Sequence, residues 1–436
     1  LLSGVKTLVA KFKKLQLGIT MAGLVFAAAC DGVGSPRTSG GRPANPKESG
    51  KGTSDQDGEN DPDATPSTDP SSVASGSPSP TPSPVVSSAP PASGAGLKLM
   101  NPRVMVGASV SSVTDGTTSQ TFKDIIVKEF NCGQALWYGA WGSWPANGSA
   151  NFEKVSAEIN WLRDNNISPH VHMLIGSDFY APTWLKNGGF TGPQLEAILQ
   201  GLIDGVMDHN DNKSKVDVWN VINEIIEDGT GHYCSDVVGN AMGWEADQSG
   251  LSGGDRINTQ HPVFIRKAFE FARAKTTRKL EIRDYLIEIM DWPKHKGMYQ
   301  LLKHMLNSGI PVDAVGIQGH FEIGHSNATA ALGDRGVRAV TSKFKALGIE
   351  VHITEMDHET GGQAWSPTLA EAQSTQYYDY TKAAILGGAS RVYSWGFQDG
   401  RDAGWLPTKH PLPWDENLQR KPAYFGWEKA LLDTAN

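Results

Sequence analysis

Seven residues with chemical potential stand at the ends of apolar runs in the second half of the chain: Asn223, Glu224, Gln318, His320, Glu355, Asp357 and Trp395. Two carboxyl groups held at one site can divide the work of catalysis if their surroundings push their pKa values apart. One then stays protonated and gives up a proton, while the other stays ionised as base or nucleophile. A lone glutamate at such a place is most simply a solvated loop residue. Several run ends bearing such groups instead require a fold that gathers strand ends at one mouth.

The runs themselves supply that fold. From residue 100 on, eight short β-branched or apolar segments alternate with helical patterns: Val104 to Val110, Ile126 to Ala135, Ser168 to Ile175, Val216 to Val221, Lys279 to Tyr285, Ala314 to Gln318, Glu350 to Thr354 and Arg391 to Phe397. Between them, Phe264, Ile265, Ala268, Phe269 and Ala272 recur at helical spacing within 263 to 273, and Met298 to Leu306 reads the same way. Strand and helix alternating eight times is the pattern of an α/β protein of the (β/α)8 TIM-barrel type, whose catalytic groups cluster at the C-terminal strand ends. A doubly wound open sheet is the rival, but no glycine-rich dinucleotide turn follows the first strand.

The rest of the chain narrows the domain count. Of 436 residues, 1 to 30 carry four lysines and no acid, and 31 to 96 hold 12 of the 25 prolines and no Phe, Trp or Tyr. The net charge of -8 divides as +4, -4 and -8 over residues 1–30, 31–96 and 97–436, leaving no basic face for nucleic acid. Residues 1–30 read as a signal peptide: Lys6, Lys11, Lys13 and Lys14 precede an apolar stretch from Leu15 to Ala29, too short for a spanning helix. Phe26-Ala27-Ala28-Ala29-Cys30 resembles a bacterial lipobox, which implies a lipid anchor on Cys30; simple cleavage at the Ala-Ala-Ala site is the alternative. The Ser/Pro/Gly-rich tract 31–96 cannot bury enough apolar surface to offset the entropy of ordering and reads as a disordered tether. A single domain, 97–436, remains. An exported protein at the cell envelope or secreted from it, and a monomer, is expected.

Five motifs in register resemble glycoside hydrolase family 10, whose best-known members are endo-β-1,4-xylanases. Val218-Trp219-Asn220-Val221-Ile222-Asn223-Glu224 resembles the family's W-D-V-V-N-E, and Ile353-Thr354-Glu355-Met356-Asp357 resembles I-T-E-L-D. Gly316-Ile317-Gln318-Gly319-His320 is similar to G-F-Q-S-H, Leu280 to Tyr285 to L-Y-I-N-D-Y, and Trp395-Gly396-Phe397-Gln398-Asp399 with Trp405 to the close of the eighth strand. The resemblance implies a retaining β-glycosidase, endo-acting on an extracellular polysaccharide, with Glu224 as general acid/base and Glu355 as nucleophile. It implies that Asn223, His172, Gln318 and His320 contact the sugar, that Trp395 and Trp405 offer rings for stacking, and that Asp357 helps hold Glu355. No cofactor is implied. No zinc-spaced motif and no Gly-x-Ser-x-Gly elbow occurs.

The departures fall on the glycone side. Where the family has E-N-x-M-K-W, this chain reads Leu136-Trp137-Tyr138-Gly139-Ala140-Trp141; Gly176 and Ser177 replace Trp-His, Arg283 and Leu286 replace asparagines, and Asn220 replaces an aspartate. Loss of hydrogen-bonding groups changes which sugar is accepted. An inserted segment, Tyr233 to His261, could reshape the leaving-group side, and Trp137, Trp141, Trp144 and Trp244 could form a new sugar platform or pack within loops. Cys132 and Cys234 could pair as a disulfide or remain two buried thiols. A second hypothesis keeps the barrel as a non-catalytic carbohydrate-binding envelope lipoprotein acting in polysaccharide assembly.

Overall fold

A computed structural model describes residues 95–435 except 112, 137–149, 178–180, 235–240, 326–332 and 334. The leader, Cys30, the tract to residue 94, and Trp137, Trp141 and Trp144 therefore lie outside the described residues. Eight parallel strands form the barrel: β1 (Met105–Ser109), β2 (Cys132–Leu136), β3 (Ser168–His172), β4 (Val218–Asn223), β5 (Lys279–Asp284), β6 (Ala314–Ile317), β7 (Glu350–Glu359) and β8 (Arg391–Ser394). Each pairs with the next, and β8 pairs with β1, which closes the sheet. The (β/α)8 expectation holds.

Among the described residues, eight helices of nine residues or more follow the strands: α1 (Gln120–Glu129), α2 (Glu153–Asp164), α3 (Gly192–Asp208), α4 (Val263–Lys275), α5 (Pro293–Asn307), α6 (Val337–Lys345), α7 (Pro367–Leu386) and α8 (Pro422–Asp433). Their apolar stripes are those the spacing predicts. In α4 the buried residues are Phe264, Ile265, Ala268, Phe269 and Ala272, and in α3 Leu195, Leu199, Leu202, Ile203 and Val206 share one face. Thr191 and Gln194 start α3, the Gln194 Oε1 accepting the Thr191 backbone N–H at 2.9 Å. Among the described residues, no helix is long and apolar enough to cross a membrane.

One boundary differs from the pattern. The run Ile126 to Ala135 has the composition of a strand throughout, but its first four residues end α1 and the strand starts at Cys132. The Ser119 side chain caps the helix by accepting the Phe122 N–H, and Phe122, Ile126 and Glu129 lie buried on its inner face. Packing thus overrides the β preference of Ile125-Ile126-Val127. The strand ends shift too: β4 runs on to Asn223, β7 to Glu359, and β8 stops at Ser394.

Alternation along the strands sorts the side chains. In β5, Leu280 and Ile282 join the hydrophobic core, while Glu281 and Arg283 bond to side chains of β2, β3 and β7. Contacts among strands that are not neighbours are possible only through the barrel interior. That interior is therefore polar and charged near the mouth, with the aliphatic layer on the outer face beneath the helices.

Candidate active site

Glu224 sits one residue beyond β4. Its backbone takes a left-handed turn, φ 57°, with its N–H donating to the Arg283 carbonyl at 2.9 Å. This conformation is costly for a non-glycine residue and is sustained by the surroundings. Two residues on, the Ile226 N–H donates to Asp284 Oδ2 at 3.1 Å. Lys294 then links Asp284, at 2.9 Å, to Asp228, at 2.8 Å, with its ammonium 3.1 Å from the Tyr285 ring centroid. Lys294 anchors the loop that carries Glu224.

The Glu224 carboxyl is buried, and its Oε1 accepts a hydrogen bond from Gln318 Nε2 at 2.9 Å. Burial raises its pKa above the ordinary value and the nearby Glu355 charge adds to the rise, outweighing the Gln318 bond. Gln318 Nε2 also lies 3.3 Å from Asn223 Oδ1, and the Gln318 carbonyl accepts the Glu355 N–H at 2.8 Å. One residue therefore touches both glutamates. The Asn223 Nδ2 is buried with no protein partner among the described residues, a donor positioned for a ligand to satisfy.

Glu355 is 2% exposed and has the opposite environment. Oε1 accepts from Arg283 Nη1 at 2.9 Å and Oε2 from His320 Nε2 at 3.1 Å. Burial alone would raise its pKa, but the His320 bond and the charges of His172, Arg283 and His320 prevail and draw it down to about 2. His172, with Nδ1 3.8 Å from the same oxygen, is itself lowered to about 4 by burial and by Arg283, so at neutral pH it stands uncharged. His320 bridges outward to Asp357, Nδ1 to Oδ1 at 3.0 Å. Against the effect of burial, the Asp357 and Glu355 carboxylates raise His320 to about 10, making it a cation between them. Asp357, pushed up by burial to about 6, holds His320 from the side away from Glu355.

The signs fix a testable pH dependence. A carboxylate lowered on folding adds stability above its unfolded pKa of about 4.3, and this is lost as pH falls through about 2 for Glu355. A histidine raised on folding adds stability below about 6.5, and this is lost as pH rises through about 10 for His320. His320→Asn should therefore flatten the dependence of the unfolding midpoint on pH between about 6.5 and 10 and raise the acid limb of kcat/KM. A midpoint that keeps its full slope over that range in the variant would refute the His320 cation.

Aromatic rings frame the pair. Trp395, buried, meets the His172 ring edge-on at 5.4 Å and the His320 ring at 6.3 Å. Trp405, half-buried, meets His320 at 5.0 Å. The structure thus brings His172, Asn223, Glu224, Gln318, His320, Glu355, Asp357, Trp395 and Trp405 into one contact network. Arg283, a departure from the family motif in sequence, is the central donor of the site; the alternation of Lys279-Leu280-Glu281-Ile282-Arg283-Asp284 is the signal that it faces inward.

Cys132 is a free, buried thiol, so the disulfide with Cys234 does not form. Burial raises the Cys132 thiol to about 11, an unreactive state. Within the inserted segment, Trp244–Ala246 pairs antiparallel with Gln260–Pro262, and Trp244 is 40% exposed beside Tyr233. Among the described residues, two clusters could in principle hold a metal: Asp247, His261 and His304, and Asp399, His410 and Glu416. In the first, His304 Nδ1 accepts the Gln248 N–H, which leaves its proton on Nε2 toward Glu245. In the second, Lys421 Nζ occupies Asp399 at 2.7 Å. Both are matched internally by protein partners, and no chemistry is assigned to them.

The profile of Glycosyl hydrolase family 10 matches residues 99–430. The endo-1,4-beta-xylanase A of Phanerodontia chrysosporium is 29% identical over 289 residues, covering 65% of this chain and 63% of that protein. An endo-beta-1,4-xylanase of Cellvibrio japonicus is 27% identical over 318 residues, 66% of this chain and 49% of its own length. The chain thus spans less than two thirds of these relatives. Among solved structures, xylanase 10B of Thermotoga maritima superposes with a TM-score of 0.65 at 22% identity, covering 77% of this chain and 98% of that one, a likeness of fold. Native xylanase 10C of Cellvibrio japonicus gives 0.64 at 25% identity, covering 78% and 73%.

Proposed function

The chain belongs to glycosyl hydrolase family 10, and from that premise we propose that it hydrolyses β-glycosidic bonds within xylan or a related extracellular polysaccharide, with retention at the anomeric carbon. The observation that carries this is a pair of buried carboxyls in opposed environments at the mouth of the barrel, Glu224 raised and Glu355 lowered, tied together by Gln318. That division suits a proton donor and a nucleophile.

In the first step, the protonated Glu224 gives its proton to the glycosidic oxygen while a Glu355 oxygen attacks the anomeric carbon. The glycosidic bond breaks, the leaving saccharide departs as an alcohol, and the glycone stays esterified to Glu355. In the second step, the ionised Glu224 takes a proton from water, whose oxygen attacks the same carbon and releases Glu355. Two inversions give net retention. Asn223 Nδ2 would meet the 2-hydroxyl, where contacts strengthen in the transition state. His172 and Gln318 would bind the same sugar, His320 would orient Glu355 beside it, and Trp395 and Trp405 would offer apolar ring faces. A non-catalytic binding role gains no support from a site that retains both carboxyls in these states.

Incubation with xylan, mixed-linkage β-glucan and other β-glycans tests the proposal. Internal cleavage shows as a loss of viscosity ahead of reducing ends, and proton NMR should show the β-anomer first. An α-anomer first, or folded protein inert on every β-glycan, would refute it. We further propose that residues 1–30 direct export, that Cys30 carries a lipid, that 31–96 tether the monomeric barrel 97–436, and that Cys30→Ala moves the protein from the membrane fraction to the soluble one. Retention of that variant in the membrane fraction would count against the anchor.

A further inference from the structure

Arg283 stands where the family pattern has an asparagine, and its surroundings define what the exchange does. The side chain is fully buried on β5. Its Nε and Nη2 both meet Glu281 Oε1 at 2.9 Å, and Nη2 also donates to His170 Nε2 at 3.0 Å. Nη1 faces three acceptors: Gln134 Oε1 at 2.8 Å, Glu355 Oε1 at 2.9 Å and His172 Nδ1 at 3.0 Å. All three nitrogens of the planar guanidinium fork meet these groups. The side chain is sealed from solvent behind these partners, so Arg283 acts on the reaction through the residues it holds.

The barrel is shaped to admit this fork. Gly316 on β6 lies opposite Arg283 in the strand register. A Cβ at that position would come within 2.9 Å of Glu281 Oε1 and 3.0 Å of Arg283 Cγ, so the missing side chain is the space the pair occupies. Below, Glu281 Oε2 meets His352 Nδ1 at 2.5 Å, which orients Glu281 in turn. Formal charges then alternate up the interior: Glu281 negative, Arg283 positive, Glu355 negative, His320 positive, Asp357 negative.

We propose that Arg283 is the positioning residue of the nucleophile: with its own plane fixed by Glu281 and His170, it holds Glu355 Oε1 in place and fixes His172 as the tautomer protonated on Nε2. This rests on the assignment of Glu355 as nucleophile. His320 holds the other oxygen, so the carboxylate is gripped at both ends and cannot rotate about its last torsion without losing a charged bond. The titratable and charged groups facing Glu355 are Arg283 from β5, His172 from β3, Glu224 from beyond β4, His320 from the segment after β6, and Asp357 on its own strand. Of these, Arg283 is the cation that does not titrate in any working range.

A merely structural arginine would serve only to neutralise Glu281, and variants separate the two roles. Arg283→Asn combined with Glu281→Gln removes both charges, so that neither is left buried without its partner. The double variant should keep its near-ultraviolet circular dichroism, raise the acid limb of kcat/KM by about one pH unit or more, and lose at least about tenfold in kcat with KM little changed. Arg283→Lys keeps the charge but not the planar fork. It should retain the low acid limb while losing kcat to a similar degree, and it decides the matter should the double variant fail to fold. An unchanged acid limb and kcat in the folded double variant, or full kcat in Arg283→Lys, would overturn the proposal. Glu355→Gln is assayed alongside: if that variant keeps its activity, the nucleophile assignment fails, whereas an inactive Glu355→Gln with unaffected Arg283 variants leaves that assignment intact and removes only the role of Arg283.

Discussion

Glu355→Gln is expected to abolish turnover of β-glycans, a loss of at least about 10⁴-fold in kcat, because the amide cannot form the glycosyl ester on which both steps depend. The same substitution removes the negative charge between Arg283 and His320, which lie 2.9 and 3.1 Å from its two oxygens. Breaking a buried ion pair from one side costs about 3–5 kcal/mol, so the unfolding midpoint at neutral pH should fall together with activity. Initial rates and thermal unfolding on the same preparation check both. Full stability with no activity would mean that Glu355 is not paired as described.

Glu224→Gln should behave in the opposite way in one respect. Turnover of natural substrates should fall by about 10²–10⁴-fold, the usual contribution of general acid–base catalysis. Aryl glycosides with acidic leaving groups should still glycosylate the enzyme rapidly, since departure of such a group needs no proton. The intermediate then accumulates for lack of a base, and added azide should restore turnover by attacking without one. Stability should move upward. A carboxyl raised on folding adds stability below its unfolded pKa of about 4.3 and loses it as pH rises through the folded value, so above that value the buried Glu224 carboxyl carries a cost that glutamine lacks. A variant that loses activity equally on all leaving groups and ignores azide would contradict the acid/base role.

Much of this site was legible in the sequence because its chemistry sits on strands with a two-residue period. Asn223-Glu224, Gln318 with His320, and Glu355 with Asp357 each stand at the end of a β-branched run, and a barrel must deliver all such ends to one mouth. Less legible were groups whose meaning depends on partners far along the chain. Arg283 reads as a mismatch until Gln134, His172 and Glu355, 72 to 149 residues away, converge on it. Lys294 gives no local sign that it joins Asp228 to Asp284. The start of β2 was misplaced because Ile125-Ile126-Val127 carries β preference while its burial pattern is helical. Likewise Cys132 and Cys234 offered a pairing by residue type that the separation of β2 from β4 in the closed barrel does not serve.

The central claim is that Glu355 becomes covalently bonded to the sugar while Glu224 handles the proton. It is tested most directly by incubating the protein with a 2-deoxy-2-fluoro-β-glycoside of xylobiose bearing a dinitrophenolate leaving group, followed by peptide mass spectrometry. The fluorine slows both steps and the good leaving group rescues the first, so the intermediate should persist. We predict time-dependent inactivation with one glycosyl unit per chain, located on the peptide containing Ile353-Thr354-Glu355-Met356-Asp357 and absent from Glu355→Gln. A label on another residue, or continued hydrolysis of β-glycans with retention by an enzyme that takes up no label, would contradict it.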